Sequence, residues 1–476
     1  MSEFAYKTTF GKFQVERMVA EPYLQYGFFD ETIEDKQAQQ LKIFRELENG
    51  LPMFDGTAFS NQVHFQNAHK IPVQRWFPYR EGYSTRLVHA FINELKITGN
   101  VFDPFSGSGT TLMAARTNNL RSFGMDVNPI SVLVARVENE KYRFDDIQSI
   151  LLEIGRIQSF AKPNERFETS FELAEKMFNE DILQSLLQLK KHIMGIESEI
   201  IRNLFFVAWL SIIEETSNIK KEGNGLKYKN RKRTASGYIN IEKDVWEKQT
   251  FPKDKFGFVQ EKLTRHLGTI LTDIEHSFGA CENKPQVFEG DCLEFDEYFS
   301  DQIQLTFFSP PYCNCFDYFE IHKVDLWLGN FVKSKEEFRL LRKTGFRSNT
   351  NAVDRKPVIY QNENIEQLIS LFDVEMLWNS RIPSVVRGYF DDMNTLFNKL
   401  HQQTTRGGFV GVVVGNSAYA GVIIPADFLI ANIAREIGFK VKNIFVTRHL
   451  TTSSQQKRKL SPLKNYLRES IVLLEK

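Results

Sequence analysis

The 476-residue sequence has few cysteines and lacks any long apolar run. Its four cysteines, Cys281, Cys292, Cys313 and Cys315, are too few for a disulfide framework in a chain of this length, which indicates a reducing compartment. No apolar run approaches the ~20 residues of a membrane-spanning helix, and the N-terminus lacks the apolar stretch of a signal peptide. We therefore expect a soluble, cytoplasmic protein.

The sequence also lacks net charge, because 60 Lys and Arg residues are balanced by 60 Asp and Glu residues. A globally basic chain is thus excluded, and any nucleic-acid partner would have to bind local basic segments. The hydrophobic fraction of 42% is enough for a large core, divided between two or three lobes.

Strand, loop and helix patterns alternate in three separate parts of the chain. This alternation predicts an α/β fold built on parallel strands, with mostly helical insertions between the parts. We divide the chain into an N-terminal extension (1–60), a first core part (61–140), a helical insertion (141–285), a second core part (286–330), a second insertion (331–400) and a third core part (401–476).

A glycine loop, "DPFSGSGTT", follows the first predicted core strand. Gly107 and Gly109 would let backbone N–H groups approach a ligand at the start of a helix. A phosphate-binding P-loop would need a lysine here, and a dinucleotide fingerprint would need glycine where Leu112 stands. The remaining candidate ligand is S-adenosylmethionine.

Three acidic residues at successive strand ends suit this cofactor. Asp103 could bind its ammonium group, Asp126 its ribose hydroxyls and Asp291 its adenine amine. Ligands of open α/β sheets bind at the carboxyl ends of the strands, where these three residues are expected.

Four segments in order, "DPFSGSGTT", "GMDVNP", "EGDCL" and "SPPY", resemble the amino-methyltransferases of DNA, which methylate an exocyclic nitrogen of cytosine or adenine. The segment "RWFPYREGYSTRLVHAFI" resembles the part of that family that covers the methionine end of the cofactor. The resemblance covers about residues 60–140 and 285–476. It implies a Rossmann-like class I methyltransferase sheet with helices on both faces, and double-stranded DNA as the substrate. It also implies a restriction or defence partner, and further cofactor contacts at Tyr79, Phe105, Thr110 and Cys292.

The strand "QIQLTFF" ends on Ser309, Pro310, Pro311 and Tyr312, which we expect to be the catalytic corner. Ser309 Oγ and the Pro310 carbonyl could accept hydrogen bonds from the amine, and the prolines would fix their direction. Tyr312 offers a flat face for a base flipped out of the duplex, and Phe316 or Tyr318 could form the opposite wall.

The target base stays open at this level. By the resemblance, serine at position 309 favours N4 of cytosine, with N6 of adenine as the alternative. Methylation of RNA or protein, or a non-catalytic DNA-binding subunit, are further alternatives. Two other chemistries are disfavoured: Cys313 as a nucleophile, and a zinc site made of the four cysteines, which lack the paired spacing of zinc ligands.

Basic segments in both insertions and near the C-terminus are the candidate DNA contacts. The segment Lys220–Lys232 carries two glycines and is expected to be a mobile loop that follows phosphates. His322 could face the DNA or the solvent. The expected contacts are Lys227, Lys229, Arg231, Lys232, Arg347, Lys457 and Arg458. Which insertion reads the bases is left open.

Overall fold

The computed structural model describes residues 7–10, 13–17, 35–63, 70–79, 82–223, 225–234, 237–276, 283–451 and 460–476. In these ranges the strands are β1 (Lys7–Phe10), β2 (Phe13–Arg17), β3 (Met53–Asp55), β4 (Val101–Asp103), β5 (Ser122–Asp126), β6 (Ile219–Glu222), β7 (Gly225–Tyr228), β8 (Arg231–Thr234), β9 (Gly237–Asn240), β10 (Gln286–Glu289), β11 (Ile303–Phe308), β12 (Thr404–Gly415), β13 (Ser417–Tyr419), β14 (Val422–Ile424), β15 (Lys440–His449) and β16 (Arg468–Glu475).

One ten-stranded sheet forms the core, in the order β1-β2-β3-β15-β16-β12-β11-β4-β5-β10. The strands from β10 to β12 are parallel neighbours, whereas β16 lies antiparallel between β12 and β15. The carboxyl ends of five adjacent strands therefore meet at one edge, which is where open α/β sheets bind ligands. The predicted class I methyltransferase sheet is confirmed.

Helices cover both faces of this sheet. Successive residues of β12 point to opposite faces, so that Val412 and Val413 belong to separate apolar clusters. The α-helices of the described ranges are Asp35–Glu48, Thr85–Glu94, Thr110–Thr117, Pro129–Glu138, Phe144–Ser159, Ala174–Met177, Glu180–Met194, Glu199–Ile212, Lys243–Thr250, Lys255–His276, Tyr318–Ile321, Lys323–Leu328, Lys335–Thr344, Glu363–Ser370, Ile382–Gln403 and Ala426–Ile437.

The sheet also includes strands from residues 7–55, which the sequence pattern had set apart as an extension. β3 pairs in parallel with β15, where Met53 stands opposite Ile444. The helix Asp35–Glu48 packs against the helix Ala426–Ile437. β3 has only three residues, which is too short for a period of two to be recognised in the sequence.

The first insertion packs around its own apolar cluster, in which Trp209 is fully buried. Its helices follow the prediction, but the segment Lys220–Lys232 does not. Instead of a mobile loop, the described residues form two antiparallel hairpins, β6–β7 and β8–β9. Within the described ranges, none of the helices combines the length and apolar character required to span a bilayer.

Candidate active site

A cavity of about 430 Å³ opens at the edge where the parallel strands end. Its volume lies in the range of small-molecule sites. Its walls come from the ends of β4, β5 and β11, from the loop after β10, and from both insertions. The predicted residues that line it are Tyr79, Asp103, Phe105, Gly107, Thr110, Asp126, Asp291, Cys292, Ser309, Pro311 and Tyr312.

Asp103 ends β4 and is 2% exposed. Its Oδ1 accepts a hydrogen bond of 3.0 Å from the Phe105 N–H, and its Oδ2 accepts one of 3.0 Å from the Tyr83 hydroxyl. Burial raises the pKa of Asp103 to about 7, against the effect of these donors. The carboxylate is therefore held in place and would gain from a cationic ligand.

Asp126 ends β5 and is fixed by two backbone donors. Its Oδ2 accepts from the Gly107 N–H at 3.0 Å and its Oδ1 from the Asn128 N–H at 2.8 Å. Burial raises its pKa to about 6. Gly107 has a φ of +51°, and a Cβ there would stand 2.9 Å from the ring of Tyr79, so this loop requires glycine.

Unlike Gly107, which lies next to the ring of Tyr79, Gly109 lies next to the helix Pro129–Glu138. A Cβ at Gly109 would stand 2.5 Å from Asn139 Nδ2 and 3.1 Å from Ala135 Cβ. Thr110 is buried, and its Oγ1 accepts a hydrogen bond of 3.4 Å from Gln74. The predicted contact at Gly109 is thus a packing position that lets the helix Thr110–Thr117 approach the helix Pro129–Glu138.

Asp291 caps the short 3-10 helix Cys292–Glu297 after β10, since its Oδ1 accepts from the Leu293 N–H at 3.1 Å. Its Oδ2 forms an ion pair with Arg355 of the second insertion. Cys292 is buried, and this burial raises the pKa of its thiol well above the ordinary value.

These donors and acceptors fit S-adenosylmethionine. Buried carboxylates with raised pKa values suit a ligand that carries positive charge, as this cofactor does on its sulfonium and ammonium groups. Asp126 and Asp291 lie beyond Asp103 along the sheet edge, as the ribose and adenine would require. The glycine cradle at Gly107 leaves the space that a side chain would otherwise fill.

The Ser-Pro-Pro-Tyr corner follows β11 at the same cavity. Ser309 Oγ donates a hydrogen bond of 3.0 Å to the Val413 carbonyl. Tyr312 lies against the backbone of β12, because a Cβ at Gly415 would stand 2.7 Å from its ring. Pro310 is buried beneath the corner.

Tyr312 is held by two residues of the last strands. Its hydroxyl donates to Glu469 Oε1 at 2.6 Å, and Arg448 Nε donates to Glu469 Oε2 at 2.6 Å. Glu469 is 1% exposed, so its carboxylate, itself bound by Arg448, fixes the hydroxyl end of the Tyr312 side chain. Glu469 could not be identified from the sequence, because it lies 157 positions from Tyr312 and no local pattern marks it.

Phe316 and Tyr318 also line the cavity, with their ring centroids 4.6 Å apart at a steep angle.

Cys313 is buried and Cys315 half-buried, and burial raises the pKa of both thiols. Raised pKa values disfavour a thiolate nucleophile. Within the described part of the chain no cluster of three metal-ligating side chains occurs; Cys281 lies outside it.

The structure distinguishes among the predicted DNA contacts of the first insertion. Lys227 is exposed, although its ammonium pairs with Glu222 at 2.8 Å, and Arg231 is exposed on β8. Lys229 instead donates to the Glu214 and Ser217 carbonyls and so holds the turn between the hairpins. The side chain of Lys232, and all of Lys457 and Arg458, lie outside the described residues.

Two predictions are wrong. Arg347 is fully buried and forms ion pairs with Asp391 and Asp392, so it cannot reach DNA. His322 is 3% exposed and stacks with Tyr79 at 5.9 Å, so it faces neither DNA nor solvent. In both cases the residue is buried against partners that are distant in the sequence.

Lys221 was predicted to lie in a mobile loop, but it belongs to the strand β6. It is 4% exposed, lines the cavity and forms an ion pair with Asp325, which His322 Nδ1 also approaches at 3.2 Å. Through this pair the β6–β7 hairpin is fixed to the helix Lys323–Leu328, close behind the catalytic corner.

Comparison with known proteins agrees with this geometry. The family model described as DNA methylase matches residues 55–135. The chain is 28% identical to the type II methyltransferase M.BsoBI of Geobacillus stearothermophilus, over 87% of each chain. It is 25% identical to the type II methyltransferase M.AvaI of Nostoc sp., over 81% of this chain and 82% of the relative. A shorter match, 33% identical over 18% of this chain and 16% of the relative, is with the type II methyltransferase M.MjaII of Methanocaldococcus jannaschii. These similarities, with the cavity described above, support an S-adenosylmethionine-dependent DNA amino-methyltransferase.

Proposed function

We propose that the protein methylates the exocyclic N4 of a cytosine flipped out of duplex DNA. One observation carries the proposal. Ser309 lines the cavity and its Oγ donates its hydrogen to the Val413 carbonyl, which leaves the lone pairs of this oxygen to accept hydrogen bonds. An acceptor at that place suits an amine donor, and serine at this position of the family motif favours cytosine.

Each residue then has a role that follows from its position. When bound, the cofactor supplies an electrophilic methyl group to the cavity. Ser309 Oγ and the Pro310 carbonyl accept hydrogen bonds from the two amine hydrogens, which stabilises the positive charge that develops on the nitrogen. Tyr312 stacks on the base, and Phe316 or Tyr318 closes its other face.

The bound cofactor would be held along the sheet edge. Asp103 would receive the ammonium, Asp126 the ribose hydroxyls and Asp291 the adenine amine, while Tyr79 covers Gly107 from above. Arg355 would have to leave Asp291, or share it, when the adenine binds. Lys227 and Arg231 would contact phosphates. The kinship with type II methyltransferases further suggests a cognate restriction enzyme as the partner.

Nucleoside mass spectrometry of plasmid DNA from a host that expresses the protein tests this proposal. We expect N4-methylcytosine with the intact chain and none with Asp103→Asn plus Ser309→Ala. Detection of 6-methyladenine alone would instead assign adenine as the target. If RNA from the host were methylated and the plasmid DNA were not, DNA would be excluded as the substrate.

A further inference from the structure

The hairpin β8–β9 stands out from the first insertion as an exposed ribbon. Every residue of β9 is exposed, including Tyr238 at 71% and Ile239 at 53%. Large apolar side chains in water on a two-stranded hairpin are unfavourable, and such hairpins are only marginally stable alone. The ribbon therefore has the character of a surface that another molecule covers.

The base of the ribbon is fixed, whereas the strand β9 is exposed along its length. Asn230, just before β8, accepts a hydrogen bond of 2.9 Å at its carbonyl from the N–H of Ile241, which follows β9. Its side-chain Nδ2 donates back to the Ile241 carbonyl at 2.7 Å, and its N–H donates to Asn218 Oδ1 at 3.0 Å. The direction in which the ribbon leaves the insertion is thus set by hydrogen bonds.

This base adjoins a second hairpin that reaches the active site. The neighbouring hairpin β6–β7 contributes Lys221, Glu222 and Gly223 to the wall of the catalytic cavity. β7 also packs against the helix Tyr318–Ile321, which follows the catalytic corner. The ribbon therefore follows directly on a hairpin that forms part of the cavity wall, and the duplex around a flipped base must lie close to that cavity.

The charge of the ribbon suits DNA. β8 carries three consecutive cationic residues, Arg231, Lys232 and Arg233, and the register sets the last two opposite Ile239 and Tyr238. The Arg231 guanidinium lies 5.2 Å from the centre of the Tyr228 ring. A two-stranded ribbon has the width that the major groove of DNA admits, and apolar groups there contact thymine methyls.

We propose that the ribbon β8–β9 enters the major groove next to the flipped base and reads the base pairs there, with Tyr238, the most exposed of its large apolar side chains, as the contact to base edges. The inference rests on the proposed methylation of duplex DNA and goes beyond it, because it assigns sequence recognition to one hairpin. The cationic strand β8 supplies phosphate contacts that hold the ribbon in the groove.

The test uses the full-length chain and the site that methylome sequencing identifies for it. We compare the affinities for a duplex with this site and for a scrambled duplex, at one salt concentration. In the double variant Tyr238→Ser, Ile239→Ser the preference for the site should fall by about tenfold or more. Affinity for the scrambled duplex should change by less than about twofold, because phosphate contacts remain.

Phe144→Ser is the matched control, because Phe144 is 69% exposed in the same insertion but lies on the helix Phe144–Ser159. It should leave the preference unchanged. Protection of guanine N7 from dimethyl sulfate, which reports on the major groove, should be seen with the intact chain and lost with the ribbon variant. Thermal unfolding should be the same for all three proteins.

Two outcomes separate the inference from the function on which it rests. If the intact chain methylates its site and the ribbon variant keeps both the preference and the N7 protection, the ribbon does not read the groove and the inference is wrong. If the intact chain modifies no DNA at all, the proposed function fails and the inference fails with it.

Discussion

Among single residues, Ser309 has the most specific prediction. Its Oγ is oriented by its hydrogen bond to the Val413 carbonyl, and Ser309 follows β11, whereas the carboxylates that would hold the cofactor end β4 and β5 or follow β10. Ser309→Ala should therefore lower kcat by about a hundredfold, the usual effect of losing one oriented polar group at a reacting centre. Cofactor affinity, measured by calorimetry, should stay within about twofold.

Ser131→Ala is a matched control, because Ser131 lines the same cavity and its hydroxyl lies 3.4 Å from the Tyr79 hydroxyl, on the cofactor side. It should affect cofactor affinity more than turnover. Unchanged turnover in Ser309→Ala would remove Ser309 from the mechanism.

Asp103 should make cofactor binding depend on pH. Burial raises its pKa to about 7, and a cationic ligand binds the ionised form. The dissociation constant of the cofactor should therefore rise as the pH falls below about 7, by up to roughly tenfold per pH unit. Calorimetric titrations across this range measure the effect, and Asp103→Asn should remove the change of the dissociation constant near pH 7.

The free protein should show the opposite trend. The pKa of Asp103 in the folded chain lies above its ordinary value of 3.8, so the folded state binds this proton more tightly than the unfolded state. Between pH 3.8 and about 7 its contribution to the free energy of unfolding therefore falls as pH rises. Saturation of the protein with cofactor should weaken this fall. Denaturant titrations at several pH values, with and without cofactor, measure both pH dependences, and identical slopes would contradict the prediction.

The position of a residue in the sheet could be predicted from the sequence where the residue lies at the end of a strand. Asp103, Asp126 and Ser309 each end a strand or follow it directly, so the local pattern was enough to place them. Arg347 and Glu469 could not be placed in this way. What each contacts depends on which distant strands and helices become neighbours, and charge alone suggested the wrong surroundings for Arg347.

Among the elements, the helix Thr110–Thr117 depends on a glycine at its start. Gly109 has a φ of +87°, and an added Cβ would stand 2.5 Å from Asn139 Nδ2. Gly109→Ala should lower the free energy of unfolding by roughly 1–3 kcal/mol, since it combines backbone strain with overpacking. Urea titration of the full chain measures this loss.

Gly155→Ala is the contrasting control, because this glycine lies inside the helix Phe144–Ser159 with open space around its Cβ position. There alanine should stabilise the protein by about 0.5–1 kcal/mol. Equal effects at the two positions would contradict the close approach at Gly109.

Long helices and strands were easier to predict than the hairpins. The helices of the first insertion show apolar residues at helical spacing, whereas β6 alternates buried Ile219 and Lys221 with exposed neighbours. A buried lysine hides the strand pattern, because lysine is almost always counted as a surface residue. Its burial depends on Asp325, which lies 104 positions away.

For the whole molecule, Arg347 fixes the earlier part of the second insertion to the helix Ile382–Gln403, with which that insertion ends. It is fully buried between Asp391 and Asp392, and Asp392 is itself fully buried. Arg347→Met would leave that charge with Lys356 as its cationic neighbour and should cost roughly 3–5 kcal/mol of unfolding free energy, measured in urea.

The control for this change is Arg339→Met, which removes an exposed pair with Glu336 in the same insertion. The unfolding free energy should then stay essentially unchanged, because exposed ion pairs contribute little. If Arg347→Met weakened DNA binding and left stability intact, the buried position of Arg347 would be contradicted.

The fold class of the whole chain was predictable, because three parts of the sequence repeat the same strand, loop and helix order. The contribution of residues 7–55 was not, since the partners of β3 and the helix Asp35–Glu48 are supplied by residues near the other end of the chain. Pairing over such separations leaves no local trace.

The central place of β16 has a consequence for how the protein is made. Translation runs from the N-terminus, so Arg468–Glu475 leaves the ribosome after every other strand of the described sheet, yet it must fit between β12 and β15. Until then both neighbours keep open edges, and Glu469 is not there to hold Tyr312. A nascent chain can therefore bring together the strand ends that carry Asp103 and Asp126 before β16 is made, whereas Tyr312 gains its support from Glu469 only afterwards.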